Sequence, residues 1–326
     1  MNNAENPKAA PAEHVDSVTA TELVVGTSLW RDAWRRLFKN KLAVLGIIVV
    51  AVVVLASVIG PTVIQRATGY AYDVIPKDTR LNKSFAPFRS PEGGFSWTHP
   101  MGTDNAGRDI LARVLSGGQI SLMVALIATL VSLVIGVSYG AIAGYVGGRI
   151  DDLMMRVVDV LYSLPYVIIV IVLLALLPAR TPTGQLAELF FALGAVSWLT
   201  MARIVRGQVM SLKHQDFILA ARATGVSTPK IIFRHLVPNA LGPVIVYATL
   251  TIPSVMLSEA FLSFLGLGVR PPRVSWGSLA ADGAQTLAIF PWQLIFPGVT
   301  MALMLLSLNF LGDGLRDALD PQMKKQ

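Results

Sequence analysis

Arg156 and Asp159 stand three residues apart in an otherwise apolar run, Glu259 interrupts another such run, and His99 and Asp104 lie in a polar stretch between two of them. An acid and a base at i,i+3 spacing meet on one helix face, where they either pair with each other or handle protons or solute. A lone carboxyl in an apolar segment marks a translocation path or an ion pair unless it reaches the membrane boundary. His99 with Asp104 could begin a metal site, but two ligands without a third fit a turn and a helix cap equally well. Hydrolytic chemistry finds little support, because neither a GxxxxGKS or GxxxxGKT nucleotide loop nor an HExxH zinc motif is present. His99, His214 and His235 fall in loops, away from any buried serine or carboxylate pair that an intramembrane protease would need. The chain reads as a non-enzyme without a metal or cofactor of its own.

The elements that must position these residues are membrane spans. Of 326 residues 53% are hydrophobic and only 14% charged, too apolar for an ordinary soluble domain. The net charge of +7 therefore raises the question of which side of a membrane the basic residues occupy before it raises nucleic acid. With no cysteine, neither disulfides nor thiolate metal sites can order the loops.

Residues 1–27 lack apolar periodicity and are expected to form a disordered cytosolic tail without a cleavable signal. Over 28–41, Leu29, Trp30, Ala33, Trp34, Leu37 and Phe38 recur at helical spacing opposite Arg31, Arg35, Arg36 and Lys39. That is the pattern of an interfacial helix on anionic headgroups, and it is compatible with simple positive flanking of a span. A first span is placed at 42–63, ended by Pro61, and a folded exterior loop at 64–117. Five further spans fill a core at 118–312, with 313–326 as a cytosolic tail. In the second span Gly136, Gly140 and Gly144 line one face and admit a close neighbour, for helix packing or for a pore. The third, near 154–177, opens with Arg156 and Asp159 and contains Pro165; the fifth, near 240–262, carries Pro243, Pro253, several hydroxyls and Glu259, and is expected to face protein or a cavity. Ser263 to Gly277 is broken by Gly and Pro and cannot be a regular spanning helix. An even number of spans puts both termini on one side. The short exterior loops hold only Arg180, Arg270 and Arg273, which places the termini inside.

Between the fourth and fifth spans lies a polar hinge, a cytoplasmic loop at 212–238. Asp216 can cap a short helix that Gly225 ends, and Ser227 or Thr228 with Pro229 can start a second that runs until Pro238. A basic helix-turn-helix of this size could lie on DNA through Lys213, Arg222, Lys230 and Arg234, but spanning segments flank it closely on both sides. Docking of a cytosolic protein on its apolar residues is the reading adopted, and a solvated loop serving only topology is the plainer alternative.

The same stretch resembles the cytoplasmic loop motif of ABC importer permeases: EAA, three residues, Gly, nine residues, Ile, one residue, Leu-Pro. Ala220, Ala221, Gly225 and Pro238 match, while Leu219 replaces the glutamate, His235 the isoleucine and Val237 the leucine. WRRLFKNKLAVLG, HPMGTDNAGRDILARVLSGG, RVVDVLYSLPY, SFLGLGVRPPRVSWG and GDGLRDALDP are similar to further signatures of one branch of that family. They are those of C-type permeases of dipeptide, oligopeptide and nickel importers. The resemblance implies an all-α polytopic membrane protein: six transmembrane helices behind an amino-terminal elbow, in the type I ABC importer permease architecture. It implies the prokaryotic inner membrane and a coupling loop containing Asp216, Leu219, Ala220, Ala221, Gly225, Ile232, Phe233 and Pro238. The implied partners are a second homologous permease, two ABC ATPases that bind ATP and magnesium, an extracytoplasmic solute-binding protein and membrane lipid, with no nucleic acid. The implied cargo is a di- or oligopeptide, with nickel chelates and glutathione as alternatives. Leu219, Ala221, Ile232 and Phe233 are expected to form the apolar part of the ATPase contact. A channel or carrier working without ATPases would need several inward charges, and only Asp159 and Glu259 are candidates.

Overall fold

Long runs of Val, Leu, Ile and Ala become helices here because hydrocarbon offers no partner for a free peptide group, and the helix satisfies its own. The computed structural model describes residues 29–76, 78, 81, 83–89, 94–177 and 179–319. The expected tail at 1–27 and residues 320–326 lie outside them. Among the described residues there are no strands, only two isolated antiparallel bridges, Arg89 with Phe95 and Thr103 with Asp109.

The helices are α1 (Leu29–Lys39), α2 (Lys41–Thr68), α3 (Ile110–Val146), α4 (Gly148–Ser163), α5 (Tyr166–Leu176), α6 (Pro182–Leu212), α7 (Asp216–Ala223), α8 (Thr228–Lys230), α9 (Val237–Phe264), α10 (Trp276–Gln285) and α11 (Trp292–Leu319). Five helical units are long and apolar enough to cross a membrane, and α4 with α5, bent by 94°, makes the sixth. One end of the bundle carries α1, α7 and the end of α11; the other carries the segment between α2 and α3 together with α10. They are called the α7 face and the α10 face below.

Several boundaries differ from the sequence reading. Pro61 lies inside α2, which continues to Thr68 and ends at Gly69 with φ 77°. A proline costs a membrane helix one hydrogen bond without forcing its end. The exterior loop is thus shorter than 64–117, since α3 already begins at Ile110 on the cap supplied by Asp109, whose carboxylate accepts from Ala112 N–H at 2.7 Å. The third span is two helices. Leu164 is extended (ψ 140°) because the following Pro165 disfavours helical geometry there. The supposed tail at 313–326 is helical through Leu319, and the broken stretch from Ser263 to Gly277 carries no spanning helix, with the short α10 starting at its end. Its cap is Ser275, which accepts from Ser278 N–H while Ser278 Oγ accepts from Ser275 N–H.

Pro238 does not end a helix either. Residues Ile231–Leu236 form a π-helical turn in which Val237 N–H donates to Ile232 O, and α9 follows directly. The wider turn takes up the backbone offset that a proline ring imposes on the preceding turn.

Packing follows residue size. Gly136, Gly140 and Gly144 face α6: a Cβ at 136 would lie 2.6 Å from Met201 Cβ, one at 144 only 2.7 Å from Arg206 O, and one at 140 would collide with Ala202 O. Small residues at this spacing let the two backbones meet. Beyond that seam, toward the α10 face, the main core gathers residues of α3, α5, α6, α9, α10 and α11, with Trp276 wholly buried. The amphipathic α1 divides its apolar side. Ala33 and Leu37 pack with Ala43 and Ala318, while Trp34 and Phe38 stack on each other at 5.8 Å and remain exposed.

Candidate functional site

At the α7 face, the loop between α6 and α9 is held by apolar contacts. Ile218, Ala221, Ile231, Ile232 and Leu236 are buried against Met201, Val205, Val209 and Val244. The α7 helix begins at Asp216 on Gln215, without a side-chain cap, so the acid acts through its place in the first turn and not as the cap expected of it. Gly225, at φ 76°, makes the reversal between α7 and α8. Phe217, Leu219 and Phe233 point outward at 37%, 48% and 50% exposure, and Ala220 and Pro238 are exposed beside them. Two residues expected in the docking surface are therefore misplaced. Ala221 and Ile232 belong to the protein's own core, and the outward apolar surface is made by Phe217, Leu219 and Phe233. Arg222 lies over the Tyr145 ring at 5.0 Å and donates to its hydroxyl at 3.2 Å, tying α7 to the end of α3.

The charges of α4 pair across to α6 and not along their own helix. Asp159 accepts from Arg203 at 2.7 Å, and Arg203 also covers the Tyr162 ring at 4.3 Å. Asp151, buried, takes a two-pronged contact from Arg206 at 2.5 and 2.6 Å. Arg156 is exposed and has no ion-pair partner among the described residues, so the expected Arg156–Asp159 pair is absent. Above these pairs, at the α4–α5 break, a cavity of about 340 Å³ is lined by Tyr162, Leu164, Tyr166, Ser197, Thr200 and Ser258.

Glu259 is 1% exposed and meets no cation among the described residues, which speaks against the ion-pair reading. Its Oε1 accepts from Ser263 Oγ and Ser275 Oγ, each at 2.7 Å, with Ser121 as a third hydroxyl neighbour. Those serines lie on α9, at the start of α10 and on α3. Ser263 follows Glu259 by four residues and so shares its helix face, but no spacing rule reaches Ser275 or Ser121, so the sequence offered no signal for the rest of the cluster.

Most of the remaining buried polar groups sit at the α10 face. Asp104 receives Arg108 Nε at 2.7 Å, the backbone N–H of Ala106 and of Arg108, and the guanidinium of Arg113, which is 4% exposed. Arg113 also approaches Asp282 of α10 at 3.7 Å. The surrounding protein raises the Asp282 carboxyl above the usual carboxylate range, with Arg113 and Arg108 pulling it back. His99 and Asp104, weighed above as metal ligands, have separate partners: His99 Nδ1 bonds Asp109 at 2.9 Å. Among the described residues no group of three or more His, Asp or Glu could hold a metal. Gln293 of α11 donates to Ser84 Oγ and Asn105 Oδ1 at 2.9 and 3.1 Å. A cavity of about 270 Å³ opens among Asp104, Arg108, Arg113, Leu279, Asp282 and Gln293. Gly136 to Gly140 carries the GxSxG spacing of a nucleophile elbow, but it is continuous helix within α3, so Ser138 has no strand-to-helix turn to expose it.

Comparison with known proteins agrees with this geometry. Residues 136–325 match the family of binding-protein-dependent transport system inner membrane components, and residues 28–87 match the N-terminal transmembrane domain of oligopeptide transport permease C. The oligopeptide transport system permease protein OppC of Escherichia coli is 48% identical over 300 residues, 92% of this chain and 93% of that one. OppC of Haemophilus influenzae is 46% identical over 299 residues, 91% and 90% of the two chains. An inward-facing methionine ABC transporter, MetNI, shares the fold at a TM-score of 0.50 and 21% identity, covering 64% of this chain and 96% of that one. The chain belongs to the family of binding-protein-dependent transport system inner membrane components, as an ABC importer permease of the oligopeptide permease C kind.

Proposed function

We propose that this chain is the permease subunit that forms half of the translocation pathway of an ABC importer for di- or oligopeptides, working with a second homologous permease. Two ATPase subunits hold and hydrolyse ATP with magnesium at the α7 face, which is cytoplasmic together with both termini. An extracytoplasmic binding protein delivers the peptide at the α10 face, which is exterior. The observation that carries the reading is near full-length likeness to oligopeptide permeases, above 45% identity over nine-tenths of both chains. A short two-helix loop showing Phe217, Leu219 and Phe233 outward agrees with it, because apolar groups at the end of a membrane bundle call for a covering partner.

On this reading ATP-driven closure of the ATPases pushes α7 and α8. The buried contacts of Ile218 and Ile232 carry that push to α6 and α9, since packed side chains move together. The spans then alternate between inward and outward access. Purification in mild detergent from the native locus, with mass spectrometry of what remains bound, tests the assembly. Recovery of a second permease and P-loop ATPases is the expected result, and recovery of the chain alone favours a channel or carrier. Uptake of labelled di- and tripeptides in a strain deleted for the chain tests the cargo; a loss confined to a nickel chelate or glutathione would overturn the peptide assignment.

A further inference from the structure

The cluster at Glu259 joins three elements through one carboxyl. Glu259 lies near the exterior end of α9, Ser275 is the cap of α10, and Glu259 Oε1 accepts from Ser275 Oγ at 2.7 Å. Next to it Trp276, the first residue of α10, is bound to α3: its backbone N–H donates to Ser121 Oγ at 3.0 Å and its indole Nε1 to Val114 O at 2.8 Å. Trp276 ties α10 to α3 through two bonds, one of them to Ser121, which also neighbours Glu259; Glu259 gives the same turn a side-chain hydrogen bond to α9, beside the close packing of Gly277 on Ala260. In a buried setting each of these bonds is directional and costly to leave unmade.

The other end of α9 is the coupling loop. Thr228–Phe264 is helical throughout its 37 residues, the π-helical turn included, and at 1.5 Å per residue it reaches roughly 47 Å from the loop to Glu259. At its far end α10 supplies Leu279, Asp282 and Gly283 to the wall of the exterior cavity that Arg108 and Arg113 also line.

We infer that Glu259 is a positioning residue for transport: through Ser275 it makes α10, and with it one wall of the exterior cavity, follow α9 when the coupling loop is displaced. The inference rests on the importer reading given above. Without an acceptor at 259 the Ser275 link to α9 is gone, and the two bonds of Trp276 to α3 hold the turn against the remaining apolar contact of Gly277 with Ala260.

The test uses the assembled transporter in lipid, with its partner subunits made cysteine-free. This chain has no cysteine, so Gln285→Cys on the exposed last residue of α10 is its only thiol. Maleimide labelling at that position is timed without nucleotide and with ATP and vanadate, alongside ATP hydrolysis, peptide uptake and ATPase association. The labelling rate is expected to depend on nucleotide in the parent and in Glu259→Gln, whose amide oxygen still accepts from Ser275. In Glu259→Ala that dependence is lost and uptake falls while ATP hydrolysis persists. Ser278→Ala, which removes the other half of the α10 cap and spares the Glu259 bond, keeps the dependence. Nucleotide-dependent labelling that survives Glu259→Ala would overturn the inference, as would an equal loss in Ser278→Ala, which would reduce the cluster to helix-end stability. Should Glu259→Ala fail to assemble, Ser275→Ala goes through the same comparison with the same expected loss. A parent that binds no ATPase overturns the importer reading itself, and that result is read separately from the labelling.

Discussion

At the α10 face Asp104 draws Arg108 and Arg113 together, Gln293 bridges Ser84 and Asn105, and Glu259 holds serines on two elements, whereas at the α7 face the loop is seated by Ile218, Ala221, Ile231, Ile232 and Leu236. Directional bonds fix the α10 face residue by residue. Apolar contacts hold the loop in place and leave Phe217 and Leu219 on the outward side of the same short helix. On the importer reading proposed above, the first arrangement suits registering cargo and a binding protein, and the second suits taking up force from the ATPases.

The largest effect should come from breaking the polar end. Asp104→Ala leaves the buried Arg113 without its main partner and should cost about 3–5 kcal/mol, seen as a lower thermal midpoint in detergent. At the apolar end two substitutions two residues apart should behave in opposite ways. Ala221→Asp places a charge in the core and should lower the midpoint by an amount equivalent to about 3 kcal/mol or more. Leu219→Asp should shift it by no more than about 0.5 kcal/mol while abolishing retention of the ATPases in a pull-down. Equal destabilisation by the two would mean the outward face is not a docking surface. A third test lies between the ends: Asp151→Ala removes both bonds to Arg206 and should cost about 1.5–3 kcal/mol in the same melt.

The smallest effect is expected at the exposed rim. Asp282→Asn should change stability by no more than about 0.5 kcal/mol, because the contact to Arg113 is long and the carboxyl reaches solvent. Its sign depends on pH. The folded-state affinity of Asp282 for a proton is raised, so its contribution favours the folded protein at low pH and is lost as pH rises through the folded value. Asp282→Asn should flatten that slope, as melts on either side of the transition would reveal.

Much of this could be read from the residues alone. The spans are apolar runs of sufficient length, and the glycines at 136, 140 and 144 announce a close approach along one helix face, which the structure resolves as packing on α6. What escaped is of two kinds. The phase of α7 was hidden because DFILAARA has apolar residues on nearly every side, leaving no contrast to tell Ala221 from Leu219. Partners distant in the chain were hidden as well. Asp159 finds Arg203, 44 residues on, and not Arg156, and Glu259 finds Ser275, 16 residues on across a loop. Propensity also misread the prolines at 61 and 238, which a spanning helix and a π-helical turn absorb.

The glycine seam between α3 and α6 has a mechanical consequence. Carbonyls of α6 occupy the hollows left at Gly140 and Gly144, so the two helices fit like a key in its slot: sliding along the axis would bring the neighbouring side chains of that face, Val137 and Ala141, toward those oxygens. Such a pair has one register and travels as a single beam. On the importer reading relative motion falls elsewhere, and the break at Leu164 and Pro165 is where the structure offers it: α4 meets α6 through Arg203 and Arg206, whereas α5, bent from it by 94°, seats Val170 in the main core with Leu193 of α6.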